Sequence, residues 1–249
     1  MLVRLKNCQF IIGQFEKVIN FLAKKLNKKD ESQIVLPCSL HDLAVKNEQN
    51  NFEFYKNIDY CTSDSMLITN YFRYKYKKKI NRVYGPDLML AIFNYHQKST
   101  RKIKHYLLCP NLITKKKIST SFKKNYPKQE IFVNYLPKKI NHQQELLHYQ
   151  KILDNKPDFI WIGIGSPKQL AIASWLKAHS KGVKIFCVGA AFEFISAQKK
   201  QAPLWMQKNS LEWLFRLLSE PKRLWKRYLI TIPKYLFTQI FIKKNKKYS

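Results

Sequence analysis

Hydrophobic and polar positions along this chain switch repeatedly between a strand period and a helix period. "QIVLPC" is a short β-branched run of strand character, and the "LHDLAVKNEQ" that follows reads as a helix. "NIDYCTSDSM" then reads as a strand running into a loop, and "MLITNYFRYKY" as the next helix. In "YGPDLMLAIFNYH", Pro86 suits a first helical turn, where its missing N–H costs nothing, and Asp87 suits the positive end of the helix dipole. The most regular segment runs from Pro157 to His179. There "FIWIGIG" is a continuous apolar strand of the buried parallel kind, Ser166 can cap, Pro167 takes the first turn, and "KQLAIASWLKAH" continues as a helix. "VKIFCVGAAFEF", Val183 to Phe194, reads as a second such strand. This alternation predicts an α/β fold: a parallel sheet flanked by helices. The basic stretch from Lys115 to Lys139 holds at most one helix and one strand, no internal repeat is evident, and the terminal "KKNKKYS" is expected to fray.

Composition narrows the classes. With 249 residues and 45% hydrophobic content, the chain can bury a sizeable core, which excludes wholesale disorder. The formal charge of +30, from 46 basic and 16 acidic residues, predicts attraction to phosphates on nucleotides, nucleic acids or anionic lipids. The five cysteines are never spaced Cys-x-x-Cys and read as buried reduced thiols of a cytosolic protein. The six histidines are equally scattered, so no metal site is expected. No apolar run reaches the roughly 18 to 20 residues of a membrane-spanning helix. The N-terminal apolar patch lacks a cleavage signal, and secretion is not expected.

Two stretches carry candidate chemistry. "GIGSPKQ" is a glycine-bearing turn from strand to helix, and such turns present N–H groups to a phosphate. It has neither the dinucleotide fingerprint nor a Walker loop, so by itself it is equally a plain tight turn. In "LEWLFRLLSEPKRLWKRYL", Pro221 divides two helices and Ser219 is placed to cap the second, which runs toward Pro233. Leu224, Trp225, Tyr228, Leu229 and Ile232 then share one face, while Lys222, Arg223, Lys226 and Arg227 share the other. That pattern describes an amphipathic helix lying in a membrane interface. Leu211 to Leu218 is expected on the core and Pro221 onward at the membrane.

"GIGSPKQ", "VGAAFEF" and "AP.WMQ...LEWLFRL..EPKRLWKRYL", in this order and spacing, resemble the WecG/TagA/CpsF family of bacterial glycosyltransferases. Weaker similarity extends upstream through "NRVYGPDL" and "TSDSM" to "IVLPCSLHDL". The resemblance implies a Rossmann-like α/β core over residues 1–203 and a C-terminal helical membrane-docking appendage over 204–249. It implies an inverting transfer, with no cofactor or metal, of an N-acetylmannosamine-type sugar from a UDP-sugar donor to a polyprenyl-diphosphate-linked acceptor. The setting would be cell-envelope polysaccharide synthesis, peripheral on the inner face of the cytoplasmic membrane, with self-association of the core left open. Asp64 falls at the family's proposed catalytic base. Ser39, Arg82, Gly85, Gly163, Gly165, Ser166, Gln169, Gly189, Glu193, Arg216, Arg223 and Arg227 fall at substrate-binding positions, with the last three arginines as a diphosphate clamp.

The chain also departs from the family pattern. Pro37 and Ser39 stand where the family carries Thr-x-Asn, and Ser65 replaces a glycine after the aspartate. Leu170 replaces a glutamate, Cys109 and Pro110 a glycine pair, Asn209 and Ser210 a glycine before the tail, and Glu193 an aspartate. These losses raise a different donor, or a catalytically weakened scaffold, as alternatives. A basic nucleic-acid-binding protein is a further alternative, although the aromatics follow core patterns and no nucleic-acid motif is present.

Overall fold

The computed structural model describes residues 1–5, 8–45, 52–137 and 139–245, with the side chains of 52 and 239–245 excepted. The end of the helix expected over "LHDLAVKNEQ" and most of the expected frayed tail lie outside the described residues. In chain order the elements are β1 (Leu2–Leu5), β2 (Cys8–Ile11), α1 (Phe15–Ala23), β3 (Gln33–Cys38), α2 (Leu40–Val45), α3 (Phe52–Lys56) and β4 (Tyr60–Ser63). Next come α4 (Met66–Tyr76), α5 (Gly85–Gln97), β5 (Lys104–Cys109), α6 (Leu112–Asn125), β6 (Glu130–Tyr135) and α7 (His142–Asp154). The chain continues with β7 (Phe159–Ile162), α8 (Lys168–Ala178), β8 (Lys184–Cys187) and α9 (Ala191–Ile195). It closes with α10 (Leu204–Lys208), α11 (Glu212–Ser219), α12 (Pro221–Trp225), a π-helical segment (Lys226–Thr231) and α13 (Ile232–Asn245).

One eight-stranded sheet has the order β1-β2-β4-β3-β8-β7-β5-β6, parallel except for the antiparallel β1/β2 pair at one edge. Side chains alternate across it with the period-2 geometry of strands. Phe159 and Trp161 of β7 and Phe186 of β8 enter the core on one face; Ile160, Ile162 and Ile185 enter the core on the other. Because helices cover both faces, β7 is apolar at every position and β8 at every position after its buried first residue, Lys184, as a buried parallel sheet favours. The Trp161 ring stacks on Phe186 at a centroid distance of 4.3 Å. Its buried N–H is satisfied by donation to His105 Nδ1 at 3.1 Å. That bond fixes the remaining protons: His105 Nε2 faces His96 Nδ1 at 3.1 Å, and His96 Nε2 donates to the Ala23 carbonyl at 2.8 Å. Burial lowers the pKa of both rings, keeping this chain of bonds neutral.

Three local expectations are corrected. The strand foreseen over Val183 to Phe194 ends at Cys187, because Gly189 turns the backbone to φ 56° and Ala191 already begins α9. Ser166 does not cap α8, whose N-cap is Pro167 without a side-chain bond; its hydroxyl instead accepts from Gln169 Nε2 at 3.1 Å. Ser219 is the last residue of α11, and its hydroxyl turns back to the Phe215 carbonyl at 2.8 Å, leaving Glu220 as the N-cap of α12.

The division at Pro221 is present, but the second helix runs through Pro233 instead of stopping there. Proline lacks the N–H for an intrahelical bond, and its ring collides with the carbonyl four residues back. The wider π turns just before it, closed by Ile232 N–H donating to the Arg227 carbonyl, accommodate this. The expectation that Leu211 to Leu218 packs on the core is also corrected. No residue of α11 is buried, and its Trp213 and Leu218 are exposed. Beyond Pro221, Leu224 is buried and Tyr235 packs on the core. The cationic face of the second helix is split, since Arg227 turns inward while Lys222, Arg223 and Lys226 stay exposed.

Candidate active site

In an open parallel sheet, ligands bind outside the carboxyl ends of the strands, where chain direction switches. The loops after β3, β4, β7 and β8 converge there and enclose a cleft of about 890 Å³. The loop after β7 is shaped by close packing. A Cβ at Gly163 would fall 2.1 Å from the Phe192 ring, so only glycine admits that ring beneath the turn. Gln169 joins this loop to the next. Its amide oxygen accepts from Gly189 N–H at 3.0 Å and from Gly165 N–H at 3.3 Å, while Nε2 donates to Ser166. Both oxygen lone pairs are thereby used, and one N–H remains for a ligand.

Asp64 follows β4 and lies on the cleft wall. Its backbone N–H donates to the Cys38 carbonyl at 3.2 Å, its carbonyl accepts from Arg82 Nε, and its Oδ1 accepts from Gly85 N–H at 3.2 Å. The next residue, Ser65, caps α4 by accepting from Ile68 N–H at 3.4 Å, so the hydroxyl that replaces a glycine has a local task. Arg82 lies over the Tyr84 ring at 4.3 Å and pairs with Glu212 at 2.7 Å. The other Glu212 oxygen pairs with Arg216 at 2.8 Å, and Arg216 donates to the Tyr84 hydroxyl at 3.0 Å. One carboxylate on α11 thus bridges two arginines beside Asp64. Burial raises the Asp64 pKa and Glu212 adds to the rise, whereas Arg82, Arg216 and the Gly85 N–H pull it back.

A second bridge joins the C-terminal helices to the sheet. Arg227 donates to Ser39 Oγ at 3.0 Å, and Ser39 donates onward to Asp42 at 2.6 Å, where the Tyr55 hydroxyl also donates at 3.2 Å. Arg227 Nε and His41 Nδ1, both buried and both from residues lining the cleft, have no hydrogen-bond partner among the described residues. Burial and the Arg227 charge push His41 down to about 4, so its ring is neutral near pH 7. At the rim, Lys199 pairs with Glu193 at 3.2 Å and with Glu220 at 3.3 Å, and Glu220 also holds Arg223. Among the described residues no group of three or more His, Cys, Asp or Glu is placed to share a metal ion.

A cleft at the carboxyl edge of a Rossmann-like sheet, walled by a carboxylate and by arginines from C-terminal helices, suits transfer of a group from a phosphate leaving group. The model of the WecG/TagA/CpsF glycosyl transferase family matches residues 3–249. The chain belongs to that family. It is 27% identical over 205 residues to the N-acetylglucosaminyldiphosphoundecaprenol N-acetyl-beta-D-mannosaminyltransferase of Bacillus subtilis (strain 168), covering 82% of this chain and 77% of that protein. The protein of the same name from Bacillus spizizenii is 27% identical over 157 residues, 63% of this chain and 58% of the relative. That of Staphylococcus aureus (strain MW2) is 33% identical over 85 residues, 33% of this chain and 32% of the relative.

In this glycosyltransferase the fold brings most of the sequence candidates together. Ser39, Asp64, Gly85, Gly163, Gly165, Ser166, Gln169, Gly189, Glu193, Arg216, Arg223 and Arg227 all line the cleft. Arg82 does not; it stands behind Asp64 and lines an adjoining cavity. Glu212, Tyr84, His41 and Lys199 were missed. Glu212 and Tyr84 sit inside the quoted "LEWL" and "NRVYGPDL" motifs, yet only contacts across more than a hundred residues of chain reveal their shared arginine. His41 carried no sequence signal beyond its nearness to Ser39. The turn after β5, where Cys109 and Pro110 replace a glycine pair, reaches the cleft through Pro110 and Asn111, and Asn111 caps α6.

Proposed function

We propose that this enzyme transfers N-acetylmannosamine, with inversion and without a metal ion, from a UDP-sugar to N-acetylglucosamine carried on diphosphoundecaprenol. The observation that carries this reading is the position of Asp64, on the wall of a cleft that Arg216, Arg223 and Arg227 also line. In the reaction the acceptor hydroxyl oxygen forms a bond to the anomeric carbon while the bond from that carbon to the donor diphosphate breaks. The Asp64 carboxylate takes the hydroxyl proton, and its raised pKa makes it a stronger base than an ordinary aspartate. The electron pair leaves with UDP, and the arginines neutralise the growing negative charge. The names of the relatives support the choice of sugar and of lipid.

The same reading divides the chain into a catalytic core, 1–203, and a docking appendage, 204–249, peripheral on the inner face of the cytoplasmic membrane. Trp225, Leu229, Ile230 and Phe237 are exposed on the appendage, with Lys222, Lys226 and Lys234 among them. No helix among the described residues is long and apolar enough to cross a membrane. Each basic residue near an anionic leaflet contributes on the order of 1 kcal/mol, screened by salt. Purified protein given the lipid-linked acceptor and UDP-N-acetylmannosamine should yield the disaccharide lipid by mass spectrometry, and it should sediment with anionic vesicles at low salt. UDP binding without turnover across a panel of UDP-sugars would instead identify a scaffold.

A further inference from the structure

Asp64 belongs to two cavities. The second, about 360 Å³, lies between the first turn of α4 and the helices α11 and α13, with the π segment between them. Leu67, Trp213, Tyr228, Ile232, Pro233 and Leu236 make its walls apolar. Its charged lining consists of Asp64, Arg82, Arg216, Arg227 and Glu212. Three of these, Asp64, Arg216 and Arg227, also line the polar cleft, so the two cavities meet at the proposed base. Trp213 and Tyr228 approach at a centroid distance of 5.9 Å. Leu67, Trp213 and Leu236 remain 49%, 38% and 42% exposed, which leaves the apolar wall open to the outside.

We propose that the apolar cavity seats the first isoprene units of the acceptor lipid, with its sugar facing Asp64 where the cavity meets the cleft. This rests on the function proposed above and assigns its two substrates to two separate compartments. The volume lies within the range of small-ligand sites and holds a few isoprene units, so the rest of a long polyprenyl chain continues past the exposed residues of α13. A phospholipid acyl chain fits the cavity less well as a resident, since its headgroup would then occupy the site beside Asp64 where the acceptor must react. Apolar burial in a preformed site should add affinity in proportion to the area covered.

The test uses two water-soluble acceptors, the same sugar diphosphate carrying either a methyl group or a two-isoprene tail, without vesicles or detergent. Full-length protein should show kcat/KM and binding affinity at least roughly tenfold better for the isoprenoid acceptor, a difference of about 1.4 kcal/mol. Trp213→Ala and Leu236→Ser, on separate helices and each checked for an unchanged melting temperature, should reduce that ratio to within about twofold. Equal values for the two acceptors in the parent protein, a ratio that survives both substitutions, or a tail dependence that arises only when vesicles are added, would each overturn the assignment. Calorimetric binding keeps the two readings apart. Tail-dependent binding without turnover sinks the proposed reaction and leaves the seat standing, whereas turnover without tail dependence does the reverse.

Discussion

The two sides of the candidate site are built differently. On the sheet side, the loops after β7 and β8 are closed by bonds among Gly165, Ser166, Gln169 and Gly189, all within the core. On the helical side, Arg216 and Arg227 reach Tyr84 and Ser39 from 132 and 188 residues away. The first side can form as soon as the sheet does; the second exists only when α11 to α13 are docked on it. The contrast shows where control over this enzyme can reside. The Arg82–Glu212 and Arg216–Glu212 pairs are largely shielded from solvent, so the docking of these helices can set the geometry around Asp64.

The comparison can be broken at its centre first. Asp64→Asn preserves shape and the Gly85 bond but cannot take a proton; turnover should fall by about 10²- to 10⁴-fold while the melting temperature stays near that of the parent. On the sheet side, Gln169→Leu leaves the Gly165 and Gly189 N–H groups without their acceptor. It should cost roughly 1–2 kcal/mol in urea unfolding, because both N–H groups are part-buried at the cleft and each lost hydrogen bond contributes about 0.5–1.5 kcal/mol. Gln169→Glu, which keeps both acceptor positions, should cost less.

On the helical side, Glu212→Gln should reduce kcat/KM by roughly tenfold and lower the melting temperature, since it leaves the largely buried Arg82 and Arg216 without their shared anion. It should also move the pH profile. The base works only when ionised, so activity rises with pH through the Asp64 pKa, which lies above the ordinary aspartate value. Glu212 raises that pKa, so its neutralisation should shift the acid limb to lower pH. An unmoved limb would separate Glu212 from the base.

The smallest effect is expected far from both sides, at the neutral His96–His105 pair. Its folded pKa values are depressed, so the unfolded chain binds protons first as pH falls below about 6.5. Stability from this pair is therefore complete above that pH and declines below it. His105→Phe should flatten the difference between urea curves taken at pH 7.5 and 5.5.

Much of the core was legible because its period is local. "MLITNYFRYKY" is helix α4 residue for residue, and "QIVLPC" is strand β3. The antiparallel β1/β2 edge was missed, since a four-residue strand carries little periodic signal. The Val183 to Phe194 run misled because apolar content continues through the Gly189 turn, where strand and buried short helix look alike.

The order of motifs was enough to establish the family, the α/β alternation and the position of Asp64 at a strand end, because these depend on residues close together in the chain. Only the tertiary structure decided which charges are available. The sequence shows a row of tail cations at helical spacing, yet Arg227 turns inward to Ser39, Glu212 occupies Arg82 and Arg216, and Arg223 stays at the rim. A charge's role depends on its burial and its partner, and both are set by packing between segments that lie far apart in the chain.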